Sequence, residues 1–180
     1  SGTTALTSIT TNALGTTAIN GGSVTTTAAQ TYNDAVTLGV DTTLNGVNVT
    51  LASTVNGAKN LTVNDSGTTT FGGVVGGTTA LTSVTTNAPG TTAINGTAIT
   101  TTAAQTYNDA VTLAADDVLT GVNVTFASTV NGAKNLTVND SGTTTFSAVV
   151  GGTTALTSVT TDAAGATQLN GGVITDRKST

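Results

Sequence analysis

Apolar residues in this chain recur at every second position, in runs too short for a helix to use. Val47-Asn48-Val49-Thr50-Leu51 and Leu61-Thr62-Val63-Asn64 are the clearest cases, and such alternation places one apolar face on a half-buried strand. The runs stop at Asn20-Gly21, Asn45-Gly46, Asn56-Gly57 and Asp65-Ser66-Gly67, where Asn and Gly supply the positive φ of tight corners. The residues between are mostly Thr and Val, whose branched side chains lose rotamer freedom in a helix and fit a pleated surface. The pattern predicts an all-β chain of short strands joined by frequent corners.

A longer order overlies this alternation. TTALTS begins at Thr3, Thr78 and Thr153, a period of 75 residues without insertion. The first two copies, 3–77 and 78–152, differ at 13 of 75 positions, and the apolar differences keep their character: Ile9/Val84, Val24/Ile99, Leu51/Phe126. A partial third copy follows the pattern over 153–175, and 176–180 departs from it as a divergent tail or junction. Inside each copy a Thr precedes a large apolar residue, with Val four positions later: Thr31-Tyr32 with Val36, Thr50-Leu51 with Val55, Thr70-Phe71 with Val75. Thr17-Ala18 is a weaker match. These spacings predict a parallel β-solenoid of about 19 residues per coil, four coils to the repeat, in which each coil contacts only its neighbours. On that count residues 1–175 form one continuous solenoid of about nine or ten coils. The expected structural core is Tyr32, Leu51 and Phe71, with Tyr107, Phe126 and Phe146 in the second copy, stacked in successive layers.

The alternative is a string of immunoglobulin-like β-sandwiches, one per repeat, hinged near Gly76-Gly77 and Gly151-Gly152. A sandwich must be whole to close its core, and a partial third copy is too short for that. It also usually centres on a large aromatic anchor, and the chain has no Trp.

Composition narrows function more than fold. The 180 residues contain no Cys, Met, Trp or His, 22 Gly, and acids that are all Asp. Such a chain must bury Val, Leu, Ile, Ala and Thr methyl groups in a thin, regular interior. The formal net charge of −5 arises from charged residues that make up only 7% of the chain. Lys59 and Lys134 are the only cations in the repeats, far from the basic cluster that phosphate binding needs, so nucleic acid is excluded as a partner. No apolar run is long enough for a membrane span, and no charged and apolar leader precedes the first repeat, which places any export signal outside this segment.

The run TTNALGTTAINGGSVTTTAAQTYNDAVTLGVDTTL, repeated as TTNAPGTTAINGTAITTTAAQTYNDAVTLAADDVL, resembles the β-strand repeats of very large bacterial surface and biofilm-matrix adhesins of the filamentous-haemagglutinin type. The resemblance covers nearly the whole chain up to Thr175, and AQTYNDAVTL is its most distinctive string. It implies a secreted, right-handed parallel β-helix that serves as a rigid shaft, often exported by a two-partner system. The recognition tip and secretion domain of such proteins have no counterpart in these residues, so their binding specificity does not carry over.

Catalysis finds little support: there is no His, Cys or Glu for a nucleophile and base, and Arg177 sits in the divergent tail. Asp34, Asp41, Asp109, Asp116 and Asp117 are the candidates for a polysaccharide-cleaving cluster, against the simpler reading that they cap corners. The isolated aspartates make neither an EF-hand nor a nonapeptide calcium series, and no cofactor or metal is expected. Lys59 and Lys134, near Asp65 and Asp140, read as surface residues. Asn48-Val49-Thr50, Asn60-Leu61-Thr62 and Asn64-Asp65-Ser66 match glycosylation sequons but read as corner and ladder residues, whose stacked Asn amides bond from coil to coil.

The expected function is a structural stalk of an extracellular bacterial adhesin or biofilm-matrix fibre, holding a distal binding domain away from the cell. Alternatively the shaft itself binds extracellular polysaccharide, or like copies associate end to end or side by side. Ice binding is a further option, raised by Thr25-Thr26-Thr27 and Thr68-Thr69-Thr70; it calls for one Thr-x-Thr per coil, whereas these triplets recur irregularly.

Overall fold

The computed structural model describes residues 4–162 and 164–175; the tail at 176–180 and Thr3 lie outside them. The chain winds as a solenoid of about eight turns of roughly 20 residues, with three strand positions to a turn. The first turn is β1 (Ile9–Thr11), β2 (Thr16–Ile19) and β3 (Ser23–Thr25), and the second is β4 (Gln30–Tyr32), β5 (Ala35–Leu38) and β6 (Thr42–Gly46). The third holds β7 (Val49–Leu51), β8 (Val55–Asn56) and β9 (Asn60–Asp65); the fourth holds β10 (Thr68–Phe71), a single bridge residue, Val75, and β11 (Ser83–Asn87). Next come β12 (Thr91–Ile94), β13 (Ala98–Thr100) and β14 (Gln105–Tyr107), then β15 (Ala110–Leu113), β16 (Asp117–Gly121) and β17 (Val124–Phe126). The seventh turn is β18 (Val130–Asn131), β19 (Asn135–Asp140) and β20 (Thr143–Phe146), and the eighth is Val150, β21 (Ser158–Thr161) and β22 (Ala166–Leu169).

First, second and third strands stack into three faces, and every strand pair among the described residues is parallel. This replaces the sandwich alternative, which needs antiparallel hairpins closing within each copy. The turns also run through the repeat boundaries: Gly76 N–H donates to Val55 C=O and Gly151 N–H to Val130 C=O, both at 2.7 Å. At roughly 4.8 Å per turn the shaft is about 38 Å long, shorter than a count of nine or ten coils implies. Among the described residues no helix is long and apolar enough to cross a membrane.

The coil count differs from the sequence expectation for a geometric reason. Tyr32 stacks on Leu51 and Leu51 on Phe71, and Val36, Val55 and Val75 form a second column beside them. Thr17-Ala18 does not join the aromatic column: it lies in β2 on the second face, and the residue below Tyr32 is Thr11. The turn that crosses the repeat boundary is longer, pairing Phe71 with Ile94 and Asn60 with Ser83. Each repeat therefore supplies eleven strand positions, β1 to β10 and Val75, and at three per turn that is three and two-thirds turns. Successive copies are rotated by one face. Tyr32 is on the first face and Tyr107 on the third; β9 is on the third and its copy β19 on the second.

The interior is one apolar cluster in which Tyr32, Leu51, Phe71, Tyr107, Phe126 and Phe146 are all buried. Tyr107, Phe126 and Phe146 stack nearly flat, with ring centroids 5.2 and 5.1 Å apart, a separation fixed by the spacing of the turns. One strand expectation and one corner expectation are corrected. Val47 is exposed and precedes β7, so the buried alternation begins at Val49. Asn45-Gly46 ends strand β6 instead of turning: a Cβ on Gly46 would sit 2.8 Å from Thr26 Oγ1, so glycine there serves close packing. The positive φ falls at Gly57, as expected, but otherwise at residues such as Gly22, Asn48 and Gly76.

Candidate functional faces and interior carboxylates

Polar side chains divide into outward ranks and inward anchors. On the third face Thr43, Thr62, Thr85, Thr106, Thr125 and Thr145 are register partners in six successive turns. The Thr triplets are irregular in sequence, yet the fold sorts single threonines into an unbroken column. Beside it runs an amide ladder: Asn64 Nδ2 donates to Asn45 Oδ1 at 2.8 Å, Asn87 Nδ2 to Asn64 Oδ1 at 2.6 Å and Asn108 Nδ2 to Asn87 Oδ1 at 2.9 Å. The first face carries a second column, Thr10, Thr31, Thr50 and Thr70, interrupted at Ala93. Asn60 and Asn64, read from sequence as corner and ladder residues, lie on the outward side of β9.

The aspartates are spread over separate corners. Asp34 accepts hydrogen bonds from Thr11 and Thr17 hydroxyls, and the Thr11 bond leads the effects that hold its carboxyl below the usual range. Asp109 accepts from Thr86 and Thr92, each at 2.8 Å. Asp41 takes the backbone and side-chain N–H of Asn60, and Asp116 those of Asn135, all at 2.9 Å; the backbone bonds lead in lowering both carboxyls. Lys59 and Lys134 are half-buried and add to that lowering. The carboxylates they act on are thus Asp41 and Asp116 in the preceding turns, while Asp65 and Asp140 point into the interior. Among the described residues no group of three or more acidic side chains is placed to hold a metal ion.

Sequence reasoning placed Asp65 and Asp117 at corners but missed the burial of three polar elements. Asp140 receives Asn123 N–H and Val124 N–H at 2.8 Å, Gly142 N–H at 2.7 Å and Thr144 Oγ1 at 3.1 Å; Asp65 does the same one repeat earlier. Burial works against the Asp140 charge, but these donors outweigh it and lower its pKa. Gln105 Nε2 donates to Thr120 C=O at 2.9 Å while its Oε1 accepts Tyr107 O–H at 2.9 Å. Gln30 and Tyr32 repeat the arrangement, and burial pushes the Tyr32 hydroxyl up to about 12. The QTY string is therefore an interior strut. The third element is Asp117, buried with neither carboxylate oxygen receiving a donor.

Compared with family models, curated proteins and solved structures, the chain matches none.

Proposed function

We propose that this chain is a shaft segment of an extracellular bacterial adhesin or biofilm-matrix fibre, a spacer that carries load and projects a distal binding domain. The observation that carries this reading is the parallel pairing that continues across both repeat boundaries: β10 to β12 and β9 to β11 at 77/78, β19 to β21 and β20 to β22 at 152/153, with Val75 and Val150 each bridging the remaining face by a single residue. Its backbone hydrogen bonds run along the long axis, and each polar anchor ties one turn to the next, as Asp140 ties β19 to β17. The rotation of successive copies spreads equivalent residues over all three faces, which suits a rod that resists bending equally in every direction. The test is single-molecule extension of a tandem array. A shaft yields in steps of whole turns at high force and shows no compliance at 75-residue intervals. Low-force lengthening in 75-residue steps would refute it.

The threonine rank on the third face favours a second reading, in which the shaft itself binds a flat polar lattice such as ice. One outward Thr per turn, from Thr43 to Thr145, supplies a regular array of hydroxyl and methyl groups. Thermal hysteresis of the purified chain, abolished by Thr106→Tyr, is its expected result; freezing behaviour equal to that of an unrelated protein retires it.

A further inference from the structure

Position 117 breaks the equivalence of the copies. In the first copy it is Thr42, whose hydroxyl donates to Val40 C=O at 2.9 Å and closes the corner before β6. In the second it is Asp117, in the same register: Thr42 pairs with Leu61 and Asp117 with Leu136. Asp117 is 1% exposed. A carboxylate there meets no donor, so an ionised Asp117 is a buried, uncompensated charge. A neutral carboxyl has an O–H to donate, as the threonine does.

We propose that Asp117 is a pH-responsive latch: protonated, it closes the corner between β15 and β16 by donating to Ala115 C=O, and its ionisation loosens that corner. The surroundings oppose the charge. Asp116, next to it, is ionised and held so by Asn135, with Lys134 attending Asp116. Across the interior, β14 presents Tyr107, whose hydroxyl is raised by burial and then by the charges of Asp117 and Asp109. On β19, Asp140 lies at the far end, opposite Gly121, and β13 contributes only Ala98, Ile99 and Thr100. Burial first, and Asp116 second, push the Asp117 carboxyl up to about 7. The sign follows. A raised carboxyl favours the folded state fully below its unfolded pKa near 4, and that contribution is lost as pH rises toward 7.

The experiment compares the chain with Asp117→Thr, which restores the first copy's residue, by hydrogen exchange and urea denaturation from pH 4 to 8. With rates corrected for intrinsic pH dependence, amides at the start of β16 should open up to about a thousandfold more at pH 8 than at pH 4, because ionisation of a raised carboxyl changes the balance about tenfold for each pH unit between the unfolded and folded values. The matching amides of β6, and the β16 amides of Asp117→Thr, should not change in this way. The denaturation midpoints of the two proteins should diverge between pH 4 and 7. A constant difference across that range, or Asp117 titrating near 4 by carbon NMR, overturns the proposal.

Discussion

Tyr32 and Tyr107 are separated by one repeat and have the same neighbours in sequence, yet they point into the shaft from different faces, the first and the third. Residues one turn apart, not one repeat apart, are therefore neighbours on the surface. Pyrene attached at Thr31→Cys and Thr50→Cys, register partners on the first face, should give excimer emission. Thr70→Cys and Ala93→Cys, register partners across the repeat boundary, should also give excimer emission, whereas Thr70→Cys and Thr85→Cys, which an unrotated second copy would bring together, should give none because Thr85 lies on the third face. The reverse result would contradict the one-face rotation.

Phe126 lies between Tyr107 and Phe146, and the first copy has Leu51 at the same place. Truncation to Ala removes contact with both rings from an interior that cannot collapse without shortening the turn spacing. We expect Phe126→Ala to cost about 3–5 kcal/mol in urea denaturation. Phe126→Leu, already accommodated in the first copy, should cost under about 1.5 kcal/mol. Similar losses for both would mean the stack is not closely packed.

Gly76 carries a φ of +73°, and a Cβ there would lie 2.2 Å from Thr100 C=O. Both facts oppose any side chain, and the second cannot be relieved without separating two turns. Gly76→Ala should destabilise by more than about 1–3 kcal/mol, whereas Gly21→Ala, where nothing lies within 4 Å, should be nearly neutral. Thermal melts of the two variants make the comparison.

How far sequence reaches is visible in these same residues. The Tyr32, Leu51, Phe71 column was legible because each residue follows a Thr at nearly one coil's spacing, and stacking repeats that spacing. The next member, Ile94, was not, because the boundary turn is longer and the repeated TTAI string suggests a new start, not a continuation. Asp65 and its copy Asp140 read as corner residues, and Gln30 and Gln105 only as part of the AQTYNDAVTL string; the burial of all four was not legible. Their partners are backbone groups brought from other turns, which no local pattern records. The threonine rank was hidden for the opposite reason: its members are scattered along the sequence and only the winding lines them up.

Asp140 should contribute to the acid side of the stability profile, alongside Asp34, Asp41 and Asp116, whose carboxyls are also lowered. The Asp140 carboxylate receives three backbone N–H groups and a hydroxyl, and its pKa is lowered. A lowered carboxyl contributes stability above its unfolded pKa near 4, and that contribution is lost as pH falls through the folded value. Asp140→Asn keeps the volume but turns an amide donor toward backbone donors, leaving at least one N–H unpaired in the interior. The expected cost at pH 7 is about 3 kcal/mol. Because the wild-type carboxylate is itself neutralised in acid, the difference between the two proteins should narrow below pH 4. Urea denaturation at pH 7, 5 and 3 measures it, ideally in an Asp117→Thr background so that the opposite trend at position 117 does not overlap. A gap that stays constant down to pH 3 would show that the Asp140 charge contributes nothing to holding the turns together.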